Sequence, residues 1–246
     1  MPFSIQPPVI AHRGASAYAP ENTLASFLKA KQLGANWVEF DVMLTADHEV
    51  VVIHDEELDR TTNGMGRVSD CSYADIKKLD AGSWFDPVFS AEKILSLREM
   101  ADFLRQHQMA ANVEIKALPG HEEMTAIKVL EIIQQCWTKD MTPPLISSFS
   151  LPVLHIVRQY SAASHLGLLM HHWLPEWQQL CDKLQCAAVD VNEKIIDPDK
   201  VKQIKATQRL VLAYTVNDSQ RAQELFSWGV DAVFTDCPDQ ILAHIS

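Results

Sequence analysis

The chain has 246 residues, 47% of them hydrophobic, and its 32 acidic side chains against 21 basic ones give a formal net charge of −11. That length and apolar share are ample for a sizeable core and exclude a disordered chain. The acidic balance excludes a sequence-independent hold on nucleic acid or stable association with an anionic membrane, since both need a basic face, so an anionic ligand must meet a local cluster of positive groups.

The N-terminal stretch MPFSIQPPVIAHRG lacks a basic region followed by an apolar run of signal-peptide length, and no window approaches the roughly eighteen apolar residues of a membrane span. A cytoplasmic protein is expected. Cys71, Cys136, Cys181, Cys186 and Cys237 are odd in number and scattered, which argues against a disulfide framework. Cys181 and Cys186 flank DKLQ on a helical stretch without a second ligand pair, so buried free thiols are expected there rather than zinc.

In chain order, the apolar run Val9–Ala11 delivers His12 and Arg13 side by side at Gly14, where the backbone turns. Buried strands rarely do this for packing alone. Pro20-Glu21-Asn22-Thr23 then starts a helix expected over Glu21–Leu33, with Asn22 at an N-cap position. A second strand at Trp37–Val42 runs into a polar turn, Ala46–Glu49, and an apolar return, the pattern of a β-hairpin. Pairing about that turn sets His54 opposite Asp41. Residues 56–95 are rich in Asp, Gly, Ser and Thr, with one weak helix near Tyr73–Leu79, and are expected to form an insertion over the mouth of the fold.

Strands are next expected at Asn112–Lys116, Leu145–Phe149, Leu166–Met170, Ala188–Asn192, Leu210–Thr215 and Ala232–Thr235, each run being apolar and β-branched. Helices fit around them at Leu97–Gln106, Glu122–Trp137, Leu151–Tyr160, Pro175–Leu184, Pro198–Lys205, Ser219–Trp228 and from Pro238. Eight strand–helix units in about 250 residues are what a closed (β/α)₈ TIM barrel requires. A doubly wound open sheet usually has fewer strands at this length and often a glycine-rich first turn, which is absent.

Strands of a parallel barrel should be nearly unbroken apolar runs. In WVEFDV, alternation instead puts Glu39 and Asp41 on one face; in ANVEIKA it puts Asn112, Glu114 and Lys116 on one face. Such groups line the barrel interior near its carboxyl end, where this fold holds its active sites. Three ionised carboxylates in a small volume repel one another unless a cation sits among them. Oxygen-only ligands from Glu39, Asp41 and Glu114 suit a hard divalent ion, Mg²⁺ or Ca²⁺ with Mn²⁺ as a substitute. The alternative is that Glu39 and Asp41 form buried salt bridges with Arg13 or Lys116.

His12 and His54 fall at strand ends that converge on the acidic cluster. His48, His107, His121, His155, His165 and His244 have no such context, and of the pair His171-His172 at most one lines the rim. Two imidazoles flanking an anion act as general base and general acid near neutral pH, as cleavage of a phosphate ester requires. Arg13 and Lys116 supply the positive charge that phosphoryl oxygens demand.

With these residues in place, the chain resembles the glycerophosphodiester phosphodiesterase family, especially its cytosolic bacterial enzymes. The resemblance rests on AHRG, PENT, EFDV, the HD after the hairpin, VEIK, SSF, YTVN and FTD, in that order from Ala11 to Asp236. It implies a barrel with a small insertion that hydrolyses glycerophosphodiesters to sn-glycerol 3-phosphate and an alcohol, with a bound divalent metal. Carried onto this chain, the catalytic histidines are His12 and His54, the metal carboxylates Glu39, Asp41 and Glu114, and the phosphate-contacting cations Arg13 and Lys116. Glu21 and Asn22 then hold the first loop, and Phe149 and Tyr214 line the glycerol side of the pocket, unless they simply pack the barrel mouth. Two departures stand out: the family often has Trp where Tyr214 stands, and Asp-Gly where Asp47-His48 turns, so either His48 is left-handed or the turn type differs.

Two rivals make different demands. A phosphoinositide-type phospholipase C needs an apolar or basic membrane-facing surface, for which Trp84, Phe85, Trp173, Leu174 and Trp177 are the candidates, against the acidic balance. A non-catalytic barrel binding module predicts the loss of a histidine or carboxylate, and all five are present.

Overall fold

The alternation of β-branched runs and helical stretches resolves, in a computed structural model that describes residues 3–245, into strands that close on themselves. In chain order the elements are β1 (Val9–His12), α1 (Leu24–Gln32), β2 (Trp37–Leu44), β3 (Val50–Val52), α2 (Tyr73–Ile76), α3 (Leu97–His107), β4 (Ala110–Ile115), α4 (Glu122–Cys136) and β5 (Leu145–Ser148). They continue with α5 (Leu151–Tyr160), β6 (His165–Met170), α6 (Trp177–Leu184), β7 (Ala188–Asn192), α7 (Pro198–Lys205), β8 (Leu210–Tyr214), α8 (Ser219–Trp228), β9 (Ala232–Thr235) and α9 (Pro238–Leu242). β1 pairs in parallel with both β2 and β9, Ile10 lying beside Trp37 and Phe234, and this closes the expected (β/α)₈ barrel. β3 stands outside the ring, antiparallel to the upper half of β2.

Strand parity sorts the side chains into two shells. Val38, Phe40, Val42, Val113 and Ile115 point outward and are buried under the helices. Phe27 of α1 meets Phe40 and Phe103 with ring centroids 6.0 and 6.2 Å away. A fully buried phenylalanine of this kind is worth about 3–5 kcal/mol against alanine, which fixes the helix on the strand carrying the acidic pair. Ile10, Trp37, Leu145, Leu212 and Phe234 point inward and plug the lower barrel, so the polar inward residues lie above an apolar floor.

The entry to α1 differs from expectation. Thr23, not Asn22, is the N-cap, its hydroxyl accepting from the Ser26 amide, and the helix begins at Leu24. Asn22 is left-handed, at φ 58°, and its side chain is thereby free to turn inward.

The hairpin also departs by one residue. Ile53, not His54, lies opposite Asp41 and donates its amide to the Asp41 carbonyl, 3.0 Å. Thr45 closes on Glu49 around a loop of Ala46, Asp47 and His48, with His48 at φ 62°. Three loop residues with the last left-handed shift the register by one relative to a four-residue turn. His54 therefore stands just past the paired ladder. Between β3 and α3 the chain forms 3₁₀ turns at Val68–Asp70 and Pro87–Phe89, α2, and a small apolar cluster including Leu58, Val68, Ile76 and Ile94. The helix expected at Tyr73–Leu79 is shorter, Tyr73–Ile76. Cys181 and Cys186 are buried free thiols, as expected.

Candidate active site

β1 ends in a turn that requires glycine at position 14. Gly14 has φ 82°, and a Cβ there would lie 2.4 Å from the Ser26 hydroxyl oxygen, so both the conformation and the space require glycine. That hydroxyl donates to the Arg13 carbonyl at 2.9 Å, while the left-handed Arg13 donates its amide to Glu39 Oε2 at 3.0 Å. The turn thus presents His12 and Arg13 to the barrel mouth.

Register assembles the carboxylates. His12 lies beside Glu39 and Glu39 beside Asn112 in one tier, and Asp41 lies beside Glu114 in the tier above. Glu39, Asp41 and Glu114 each offer an oxygen, all within 4.8 Å of one another. Burial drives Glu39 and Glu114 up, reinforced by the Asp41 charge, and carries Glu114 to about 8. Burial also pushes Asp41 up, but the charges of Arg13, His54 and Lys116 outweigh it and hold Asp41 below its ordinary value.

This donor set fits a hard divalent cation. Three carboxylates, two of them buried and the third half-buried, share one small space, and burial and mutual repulsion hold Glu39 and Glu114 above their ordinary values. Glu39 Oε1 is buried with no hydrogen-bond partner, as is the Asn112 carbonyl oxygen beside it. Nearby Arg13 does not saturate the cluster, its Nε standing 3.4 Å from Asp41 without a hydrogen bond. A purely salt-bridged cluster would leave no such orphaned oxygen.

Each histidine has one ring nitrogen committed. His12 Nδ1 donates to Asp236 at 2.7 Å, leaving Nε2 facing Glu39 Oε2 at 4.0 Å. Asp236 in turn accepts from Ser16 at 2.8 Å and from the Asn217 amide at 2.6 Å. Burial raises the Asp236 carboxyl, but the bond and charge of His12 with these two donors bring it down to about 2. His54 Nδ1 donates to Asp55 at 2.5 Å. Burial lowers His54, opposed by the Asp41 charge and assisted by that of Arg13.

A cleft of about 310 Å³ joins these groups, with His12, Arg13, Glu39, His54 and Glu114 on its polar side. Phe149, Leu169, Tyr214 and Phe234 form the opposite wall, Phe149 and Tyr214 edge to face at 6.0 Å, and His171 of the adjacent histidine pair stands at the rim. Lys116 does not reach this wall. It lines a smaller neighbouring cavity with Leu44, His48 and His121, and acts on Asp41 and Glu114 through its charge. Asn22 donates to Asp41 at 3.1 Å and Glu21 accepts from Arg13 at 2.9 Å, so both buttress the cleft without lining it.

Several residues went unassigned in the sequence. Asp55 and Asp236 sit inside the HD and FTD motifs; the signal for Asp55 was its place directly after His54, while Asp236 is 224 positions from its partner His12 and had no such signal. Asp190 interrupts AVDVN on the inward face just as Glu39 interrupts β2. It is fully buried, neither oxygen has a partner, and burial holds it well above the ordinary range. It is accommodated because residue 167 is glycine, where a Cβ would approach to 2.6 Å. The membrane-facing patch is not assembled: Trp84 is exposed, but Trp177 is buried and Trp173 lies under Lys200. Among the described residues no helix is long and apolar enough to cross a membrane.

Comparison with known proteins agrees with this arrangement. Residues 12–240 match the glycerophosphoryl diester phosphodiesterase family. A glycerophosphodiester phosphodiesterase of Caldanaerobacter subterraneus is 35% identical over 238 residues, covering 95% of this chain and 96% of that one. One from Bacillus subtilis is 34% identical, with 94% and 83% covered. The solved structure of an Oleispira antarctica phosphodiesterase, in complex with the product sn-glycerol-3-phosphate, superposes with a TM-score of 0.94 at 40% identity, covering 97% of this chain and 96% of that one. Barrel, cleft and likeness over nearly the whole length agree, and the chain is an enzyme belonging to the glycerophosphoryl diester phosphodiesterase family.

Proposed function

We propose that this enzyme hydrolyses glycerophosphodiesters to sn-glycerol 3-phosphate and an alcohol, using His12 and His54 as its acid–base pair and a divalent cation at Glu39, Asp41 and Glu114. The observation that carries this is the convergence, at one cleft, of two carboxylate-oriented imidazoles on a compact three-carboxylate cluster. The Oleispira relative, which holds sn-glycerol-3-phosphate as product, supports the substrate class. Mg²⁺ is the first choice, with Ca²⁺ or Mn²⁺ as alternatives, and once bound it lowers the pKa of a hydroxyl beside it and offsets charge on the phosphoryl oxygens.

The chain's own groups divide the remaining work. Arg13 meets the phosphoryl oxygens, Lys116 adds charge from behind the carboxylates, and Phe149 and Tyr214 receive the glycerol carbons. Neither serine of the SSF motif is available as a nucleophile. Ser147 accepts from Asn112 at 2.9 Å, and Ser148 donates to the Ile115 carbonyl at 2.7 Å, both buried. With no serine nucleophile, we infer that attack comes from the glycerol hydroxyl next to the ester carbon, an intramolecular step that saves the entropy of bringing a second reactant, rather than from water directly. One histidine takes the proton of that hydroxyl and the other protonates the departing alcohol; water then opens the cyclic phosphate.

The test pairs a glycerophosphodiester with the matching phosphodiester of 1,3-propanediol, which lacks the neighbouring hydroxyl. Glycerol 3-phosphate should be released from the first, and almost nothing from the second even when it competes for binding. Rapid hydrolysis of the analogue would mean direct attack by water, and no release from any glycerophosphodiester would refute the activity.

A further inference from the structure

Arg60 lines no cleft, yet it touches the support of two groups that do. It belongs to the segment between β3 and α3, and its guanidinium spans two carboxylates. Toward Asp55, Nε donates to Oδ2 at 2.5 Å and Nη2 to Oδ1 at 3.0 Å. Toward Glu21, Nη1 donates to Oε2 at 2.7 Å and Nη2 to Oε1 at 2.8 Å. Those carboxylates are the partners of two side chains at the cleft. Asp55 accepts from His54 Nδ1, and Glu21 accepts from Arg13 Nη1 at 2.9 Å.

We propose that Arg60 is a positioning residue, a planar clamp that aims His54 at the departing or attacking oxygen and Arg13 at the phosphoryl group through one shared guanidinium. This rests on the phosphodiesterase function proposed above. Lysine cannot substitute, because a single ammonium on a flexible stem does not present paired donors to two carboxylates in one plane. The clamp is not chiefly a stabiliser of the fold. The Arg60 side chain is 44% exposed, so water screens its charge and the barrel core does not rest on it. What it controls is geometry, and a misplacement of about 1 Å in a catalytic group costs on the order of 10²-fold.

The experiment compares wild type, Arg60→Lys and Arg60→Ala in glycerol 3-phosphate release, with thermal unfolding measured in parallel. Both variants should melt close to wild type while kcat falls and KM rises together, to a loss of about 10²-fold in kcat/KM. Millimolar guanidinium should restore Arg60→Ala by about tenfold or more, as the free ion refills the same four-bond site, and should leave Arg60→Lys and wild type unchanged. In a His54→Ala background, removing Arg60 should lower kcat by much less than it does in wild type, since the part of its effect that passes through His54 is already lost. An Arg60→Lys enzyme as active as wild type overturns the clamp, and so does an Arg60→Ala loss that guanidinium does not relieve. Collapse of the melting transition in both variants assigns Arg60 to the fold instead and overturns it too. A wild type inactive on every glycerophosphodiester would refute the underlying function, whereas an active wild type beside an unimpaired Arg60→Lys refutes only the clamp.

Discussion

His12 and His54 carry the sharpest expectations, because each has its Nδ1 tied to a carboxylate and its Nε2 left for chemistry. Replacing either by alanine should cost on the order of 10²-fold to 10⁴-fold in kcat with little change in melting temperature, measured as steady-state product release. A His54→Ala enzyme with wild-type turnover would remove that side chain from the mechanism. Glu114 gives a stability test that does not depend on turnover. Its carboxyl is raised from 4.5 to about 8 by burial and by the Asp41 charge, so between those values the metal-free native state holds a proton that the unfolded chain has lost. Stability of the metal-free protein must then fall as pH rises through that window, by a few kcal/mol in all. Glu114→Gln carries no such proton. In chelator, the gap in melting temperature between Glu114→Gln and wild type should widen in favour of the variant from pH 5 to 8, and added divalent metal should close it. Parallel curves would show that Glu114 is not compressed among its neighbours.

Among elements, legibility followed how local the cause was. The inward parity of Glu39, Asp41 and Glu114 was readable because a single break in an apolar strand reports its own face. The hairpin turn was readable as a turn, but its length was not. His48 takes a left-handed conformation that a side chain ordinarily resists, and that choice converts a four-residue turn into a three-residue one and moves His54 off the ladder. The start of α1 slipped for a similar reason: Thr23 and Asn22 are both good caps, and Asn22 is drawn instead to Asp41 across nineteen residues of sequence. Lys116 shares the parity of Glu114 but lies beyond the last residue of β4, where the strand no longer dictates direction, and it lines the neighbouring cavity. Arg60 reaches Glu21 and Asp236 reaches His12 across distant stretches of sequence, and no periodicity reports such contacts, whereas Asp55 directly follows the histidine it orients.

At the scale of the whole molecule, barrel closure makes one site out of residues as far apart as His12 and Asp236, 224 positions distant along the chain. Parallel strands put every carboxyl-terminal loop at one end, so strand-end groups from β1, β2, β4 and β9 converge without any of those segments being irregular. The apolar floor beneath them, with Ile10, Trp37 and Phe234, does not involve the acidic cluster, so the fold should survive without a metal while turnover should not. The most direct measurement is therefore glycerol 3-phosphate release by chelator-treated protein, before and after Mg²⁺, Ca²⁺ or Mn²⁺ is restored, with circular dichroism recorded on the same samples. The expected result is a folded protein with no turnover in chelator and recovery with at least one of these cations; undiminished turnover in excess chelator, from a protein with an unchanged spectrum, would contradict the metal-centred site.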